Sequence, residues 1–235
     1  MKKQKLVLIP GCGVTPLVWE HQKRHLSDIA ECQTLLLTEY DSIDKMAEAA
    51  LKQVEGKFTL AGHSLGGWIA MAMALKAPER VEKLILIATW PGNSSPEHKK
   101  LFKDCIQLVE MKQLEQLFLG ALPMLLHPAC LENQRIVGIM KQMQEDFPLE
   151  GLLYQLKAEL EGKDLSPILN KITCPTLVVH ARQDLLFPLI MQEALVARLA
   201  HAHFTIVEDS GHMLPIEQPQ AVTALLRLWL DKVIA

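Results

Sequence analysis

With 235 residues, the chain is long enough to bury a full α/β core as one domain carrying an inserted subdomain. Its 49% apolar and 22% charged residues are ordinary for a soluble globular protein, and a net charge of -3 offers nothing to a polyanion, which argues against nucleic acid as a partner. No window approaches the roughly 18 apolar residues of a membrane span, so no membrane partner is expected and the expected place is the cytoplasm.

The first apolar run, Leu6 to Ile9 in MKKQKLVLIPGCG, is too short for the core of a signal peptide and stops at Pro10 and Gly11, so it reads as a strand from Lys5 to Ile9. A second strand is expected at Thr34 to Leu37. Ile43, Met46, Ala47, Ala50, Leu51 and Val54 then fall on one helical face, with Asp41 and Ser42 placed to cap its start. Phe58 to Ala61 reads as a strand, Leu65 to Ala77 as a helix stopped by Pro78, and Lys83 to Ile87 as the fourth strand.

There the alternation breaks. Pro91 to Pro96 reads as a loop, and helical patterns without a convincing strand continue until Thr176. This insertion is rich in leucine and methionine, including Leu117, Phe118, Leu122, Met124, Leu125, Leu126, Met140, Met143 and Phe147, and internal packing is expected to take most of them. Strands resume at Thr176 to Val179 and Phe204 to Val207, and a last helix from Pro219 lines up Val222, Leu225, Leu226, Trp229 and Val233. Alternating strand and helix predicts a doubly wound, mainly parallel sheet of about six strands, with any site at the strands' carboxyl ends. The expected division is a core of residues 1–91 and 168–235 with a helical cap of residues 92–167 inserted after the fourth strand. Cys12, Cys32, Cys105, Cys130 and Cys174 show neither CxxC nor Cys/His ligand spacing, so free thiols are expected, with no metal and no cofactor.

Catalytic residue types recur in the loops after these strands. Ser64 lies in GHSLG, between a strand and a helix, where a GxSxG serine sits on a strained turn that needs glycine on either side. A serine hydroxyl needs a base, itself oriented by a third group. Of nine histidines, His212 follows the last strand in the loop Glu208-Asp209-Ser210-Gly211, whereas His63, next to the serine, is expected to point away from it and serve structure. For the acid, Asp184 just past the strand Thr176 to His180 fits better than Asp209, which lies three residues before His212 in one turn. The order Ser64, Asp184, His212 is that of α/β-hydrolases rather than of chymotrypsin or subtilisin. A tetrahedral oxyanion also needs donors, each worth roughly 3 kcal/mol; the backbone N–H groups of Leu65 and Cys12 are the candidates, the latter in PGCGVTP where Gly11 and Gly13 allow close approach. Cys12 as a thiol nucleophile lacks an assigned base.

These residues make the chain resemble the α/β-hydrolase superfamily, in particular its small bacterial serine hydrolases with a helical cap. The blocks LIPGCGVTPLVWEHQ, GHSLGGWIAMAMALKAPERVEKLILIAT, KITCPTLVVHARQDLLFP and EDSGHMLPIEQPQAV carry the likeness along nearly the whole length. The resemblance implies the α/β-hydrolase fold, with Ser64 as nucleophile, Asp184 as acid, His212 as base and the amides of Cys12 and Leu65 as oxyanion hole. Three departures stand out: Pro10 replaces a histidine that many relatives carry before the first-loop glycine, TEYDSIDKM replaces their DxPGxGxS segment, and no leading hairpin precedes Lys5. Serine at position 64 argues against the dehalogenase and epoxide-hydrolase chemistry of relatives that place aspartate there. The expected activity is hydrolysis of a small-molecule ester, lactone or enol-lactone through an acyl-enzyme. Lyase or carbon–carbon bond cleavage with the same triad, and ligand binding without turnover, are the alternatives.

Overall fold

A computed structural model describes residues 3–92 and 95–231 of the chain. Among these, six strands form one parallel sheet in the order β2-β1-β3-β4-β5-β6, with β1 Gln4–Ile9, β2 Ala30–Thr34, β3 Phe58–His63, β4 Val81–Ile87, β5 Thr176–Ala181 and β6 Ala202–Val207. Helices α1 Glu20–Leu26, α2 Ile43–Gln53 and α3 Leu65–Lys76 lie between the first strands. Between β4 and β5 the chain forms α4 Pro96–Glu110, α5 Leu114–Leu125, α6 Gln134–Asp146 and α7 Leu149–Glu161. Helix α8 Leu189–Val196 lies between β5 and β6, and α9 Leu214–Glu217 and α10 Pro219–Asp231 follow β6.

The two-residue period of the strands sorts their apolar residues onto two cores. Leu84 and Leu86 of β4 join Val7, Ile9 and Leu60 against α2 and α3, while Ile85 and Ile87 join Leu6, Leu8 and Ala61 against Trp19 and α10. Central strands covered on both faces read as unbroken apolar runs, which is why β1, β3, β4 and β5 are legible in the sequence.

The second strand lies earlier than Thr34 to Leu37, at Ala30–Thr34. β2 is an edge strand with one half-exposed face, so its sequence AECQT lacks an apolar run. The apolar residues that attract attention, Leu35 and Leu37, are buried in the loop that follows it. The start of α2 differs too: Ser42 holds the N-cap place in extended backbone, but its side chain makes no capping hydrogen bond. Val233 and part of the 91–96 loop lie outside the described residues.

Candidate active site

Order reverses at β1, whose neighbours β2 and β3 lie on opposite sides, and the loops after β1 and β3 open at the resulting crevice. Ser64 follows β3 with φ 53° and ψ −124°, a left-handed backbone that L residues avoid at a cost of about 1–3 kcal/mol. Neighbouring bonds hold it there: Ser64 N donates to Ile87 O at 3.0 Å, and Thr89 Oγ1 donates to Ser64 O at 2.6 Å. Glycine at 66 is a steric necessity, since a Cβ there would lie 2.2 Å from Ile9 O and 2.5 Å from Pro10 O. That contact presses the start of α3 against the loop after β1.

Asp184 follows β5, and its Oδ1 accepts from the backbone N–H groups of Leu186 at 2.9 Å and Phe187 at 3.0 Å. Its Oδ2 faces Nδ1 of His212 at 2.9 Å, with both side chains buried. Burial is the largest influence on each group and opposes the charge of both. The mutual attraction and hydrogen bond outweigh it, so Asp184 is held below the usual carboxylate range and His212 is raised above the usual imidazole value. Glu159 and Glu217 add to the rise at His212. Two further bonds, Gln183 N to Ser210 O and Ser210 N to Gln183 Oε1, both 3.1 Å, tie the Asp184 loop to the His212 loop. Asp209, the competing acid, is exposed, and its carbonyl accepts from Gln218.

Ser64 and His212 line a common cavity of about 340 Å³, together with Gly11, Cys12 and Gly13 of the loop after β1. Among the described residues, neither the Cys12 N–H nor the Leu65 N–H donates to any group of the chain. Both donors are therefore unspent within the protein, the Leu65 N–H on the residue after Ser64 and the Cys12 N–H in a loop that lines the same cavity. The loop after β1 is pinned from α7: Gly13 N donates to Gln155 Oε1 at 2.9 Å, while Gln155 Nε2 donates to Leu37 O at 2.9 Å. Gln155, on α7, thus reaches the loop in which Pro10 stands where many relatives have a histidine.

Helices α4 to α7 supply most of the apolar wall. Of the nine apolar residues singled out in the insertion, Leu117, Phe118, Met124, Leu125, Met140 and Met143 line the cavity, and only Leu122, Leu126 and Phe147 are pure packing residues. The expectation that internal packing takes most of them holds, since Leu122, Leu126, Met140 and Met143 are buried in one core cluster and Leu117, Phe118 and Leu125 pack against such clusters; the six lining residues also cover the surface of a hollow that the four helices enclose. His63 departs from expectation. It is fully buried and serves structure, but its ring turns toward the His212 loop, 5.1 Å from the His212 ring, rather than away from the site.

Several contributors were missed in the sequence. Glu217 accepts at Oε2 from His127 N at 2.7 Å and Gly211 N at 3.2 Å, joining the His212 loop to the segment after α5. Glu159, buried on α7, faces the cavity. Among the described residues no group of three or more His, Cys, Asp or Glu side chains could hold a metal ion, and no helix is long and apolar enough to cross a membrane.

A family model described as the alpha/beta hydrolase family matches residues 6–225. A putative carbamate hydrolase RutD from Rhizobium rhizogenes is 31% identical over 180 residues, covering 75% of this chain and 68% of that protein. A pimeloyl-acyl-carrier-protein methyl ester esterase from Nitrosomonas europaea is 26% identical over 227 residues, covering 88% of each. Among solved structures, a thermophilic esterase from Thermogutta terrifontis superposes with a TM-score of 0.89 at 25% identity, covering 100% of this chain and 92% of that one.

Proposed function

From a chain that belongs to the alpha/beta hydrolase family, we propose a carboxylic ester hydrolase that works through an acyl-enzyme on Ser64. The observation that carries this reading is the buried contact of 2.9 Å between His212 Nδ1 and Asp184 Oδ2, made beside a cavity that Ser64 also lines. A carboxylate at Nδ1 fixes the proton on that nitrogen and leaves Nε2 free to accept one.

The reaction then runs in two halves. Ser64 Oγ attacks the ester carbonyl as His212 Nε2 takes its proton. The tetrahedral oxyanion is met by the N–H groups of Cys12 and Leu65. Collapse expels the alcohol, which receives its proton from His212. Water enters, gives a proton to the same nitrogen and attacks the acyl-enzyme; loss of Ser64 Oγ, reprotonated by His212, releases the acid. Asp184 balances the imidazolium in both halves without taking up its proton.

The apolar cavity fits a small or medium substrate, and the carbamate and methyl ester relatives each name a carbonyl joined to oxygen. Both bond types yield to the same attack. The test combines labelling and kinetics: a fluorophosphonate should label the wild-type protein and leave Ser64→Ala unlabelled, and p-nitrophenyl esters should show an acyl-enzyme burst. Absence of labelling and burst in folded wild-type protein overturns the reading.

A further inference from the structure

The esterase chemistry leaves one buried carboxyl unused. Glu159, on α7, is 6% exposed and borders two spaces: the main cavity, and a small recess lined also by Ser64, Leu65, Trp68, Trp90, Phe102 and Phe187. It therefore stands where groups on either side of a carbonyl held at Ser64 could reach it. Its one protein hydrogen-bond donor among the described residues is the weak thiol of Cys12.

A buried carboxylate without a cation is costly, and such groups are ordinarily paired. No lysine or arginine lines either space. The other carboxylate on the cavity wall, Asp104 of α4, has the same sign, is exposed and pairs outward with Lys100. His212 attracts Glu159 electrostatically, but its Nδ1 is bonded to Asp184 and its Nε2 is the nitrogen that must take the Ser64 proton in the proposed reaction. The triad therefore cannot complete Glu159, and a ligand can.

Cys12, which carries one of the two proposed oxyanion donors, lines the same cavity as Ser64 and Glu159, so a group bound by Glu159 shares that space with the oxyanion. Burial also holds the Glu159 carboxyl up at about 7, so an arriving cation near neutral pH would readily draw it into the ionised form.

We propose that Glu159 is a specificity-determining residue that pairs with a positively charged nitrogen on the substrate, making amine-bearing or quaternary ammonium esters the preferred class. This inference rests on the esterase reading above. It adds a charge requirement that the apolar wall alone would not create.

The experiment compares kcat/KM within two isosteric ester pairs: β-alanine ethyl ester against ethyl butyrate for a charge on the acyl side, and butyrylcholine against 3,3-dimethylbutyl butyrate for a charge on the alcohol side. In at least one pair the wild type should favour the cation by about tenfold or more, and Glu159→Gln should reduce that ratio to about threefold or less. An independent readout needs only wild-type protein: n-butylammonium should inhibit ethyl butyrate hydrolysis more strongly than 1-butanol. Neutral esters cleaved as well as or better than both cations, a preference surviving in Glu159→Gln, or inhibition by butanol equal to that by butylammonium overturns the proposal and leaves the esterase reading standing. Failure of folded wild-type protein to hydrolyse any of the four esters overturns both.

Discussion

The ring of His63 donates from Nε2 to the carbonyl oxygen of His212 at 2.9 Å, so the residue preceding Ser64 supports the backbone of the proposed base. Both are buried, and His63 Nδ1 has no hydrogen-bond partner. Removing the donor leaves a buried carbonyl unmet. His63→Leu should destabilise the protein by about 1–3 kcal/mol and lower kcat by roughly tenfold as the His212 loop loosens. Urea unfolding and steady-state kinetics measure the two effects; an unchanged kcat would reduce His63 to a packing residue.

In the proposed triad Asp184 acts through His212, and its loss then has two readable consequences. Asp184→Asn keeps the size of the side chain but removes the charge that opposes burial of the imidazolium. By analogy with the same substitution in the chymotrypsin-type triad, kcat should fall by about 10³- to 10⁴-fold. Residual activity, measured over a pH series, should also show its acid limb displaced to lower pH. A loss of activity with the limb unmoved would mean that Asp184 only shapes its loop.

The wild-type pH profile follows from the same groups. His212 must be neutral to accept the Ser64 proton, and its pKa is raised above 6.5: burial, the largest influence, lowers it, but Asp184, Glu159 and Glu217 together prevail. Activity should therefore be low in acid, rise with pH and reach half its plateau above 6.5. His63 also faces His212, but burial lowers its pKa to about 3, and His180 is lowered by burial as well, so neither should add a limb in that window. The kcat/KM profile for a neutral ester checks this; a half-maximum below the ordinary histidine value would contradict it.

How far the sequence reveals such a site depends on which element carries each residue. Ser64 and Asp184 follow β3 and β5, central strands with unbroken apolar runs, and His212 follows the shorter apolar stretch of the edge strand β6, so in each case the turn after a strand marks the position. Gln155 and Glu159 instead lie four residues apart on α7, in LEGLLYQLKAELEG, where polar residues at that spacing ordinarily mark a solvated face. The available signal was the small residues beside them. Gly151 and Ala158 share the buried face of α7, and a Cβ on Gly151 would lie 2.6 Å from Thr38 Cβ. Close approach of α7 to the core is what buries the two polar side chains. β2 was displaced for a related reason: an edge strand needs no apolar run, whereas the loop after it does contribute to the core.

Two glycine substitutions separate tight packing from helix propensity. Gly66→Ala would force a methyl group to within 2.2 Å of Ile9 O, so the start of α3 must shift from the loop after β1. Stability should fall by about 3 kcal/mol or more and esterase activity should be lost. Gly138, exposed within α6, has nothing within 4 Å of an added Cβ. Gly138→Ala should raise stability by about 0.5–1 kcal/mol without affecting turnover. Thermal and urea unfolding of both variants provide the comparison; similar effects at the two sites would discredit the steric account of the elbow.

Glu159 should impose a stability cost that depends on pH. Burial raises its pKa from 4.5 to about 7 in the folded protein. Below pH 4.5 the carboxyl is protonated in both folded and unfolded chains and costs nothing. As pH rises through the interval to about 7, the unfolded chain releases the proton first, so folding loses free energy; above it the penalty stays constant. A shift of this size corresponds to about 3 kcal/mol. Glu159→Gln has no such proton to release, so in urea melts its advantage over wild type should be near zero at about pH 4.5 and approach about 3 kcal/mol by about pH 8. A bound ammonium ligand would offset the penalty in the wild type alone, so adding n-butylammonium at the higher pH should narrow the gap between the two proteins. A Gln variant no more stable than wild type in alkali would mean that Glu159 is already satisfied within the protein, leaving no unmet charge for a ligand to answer.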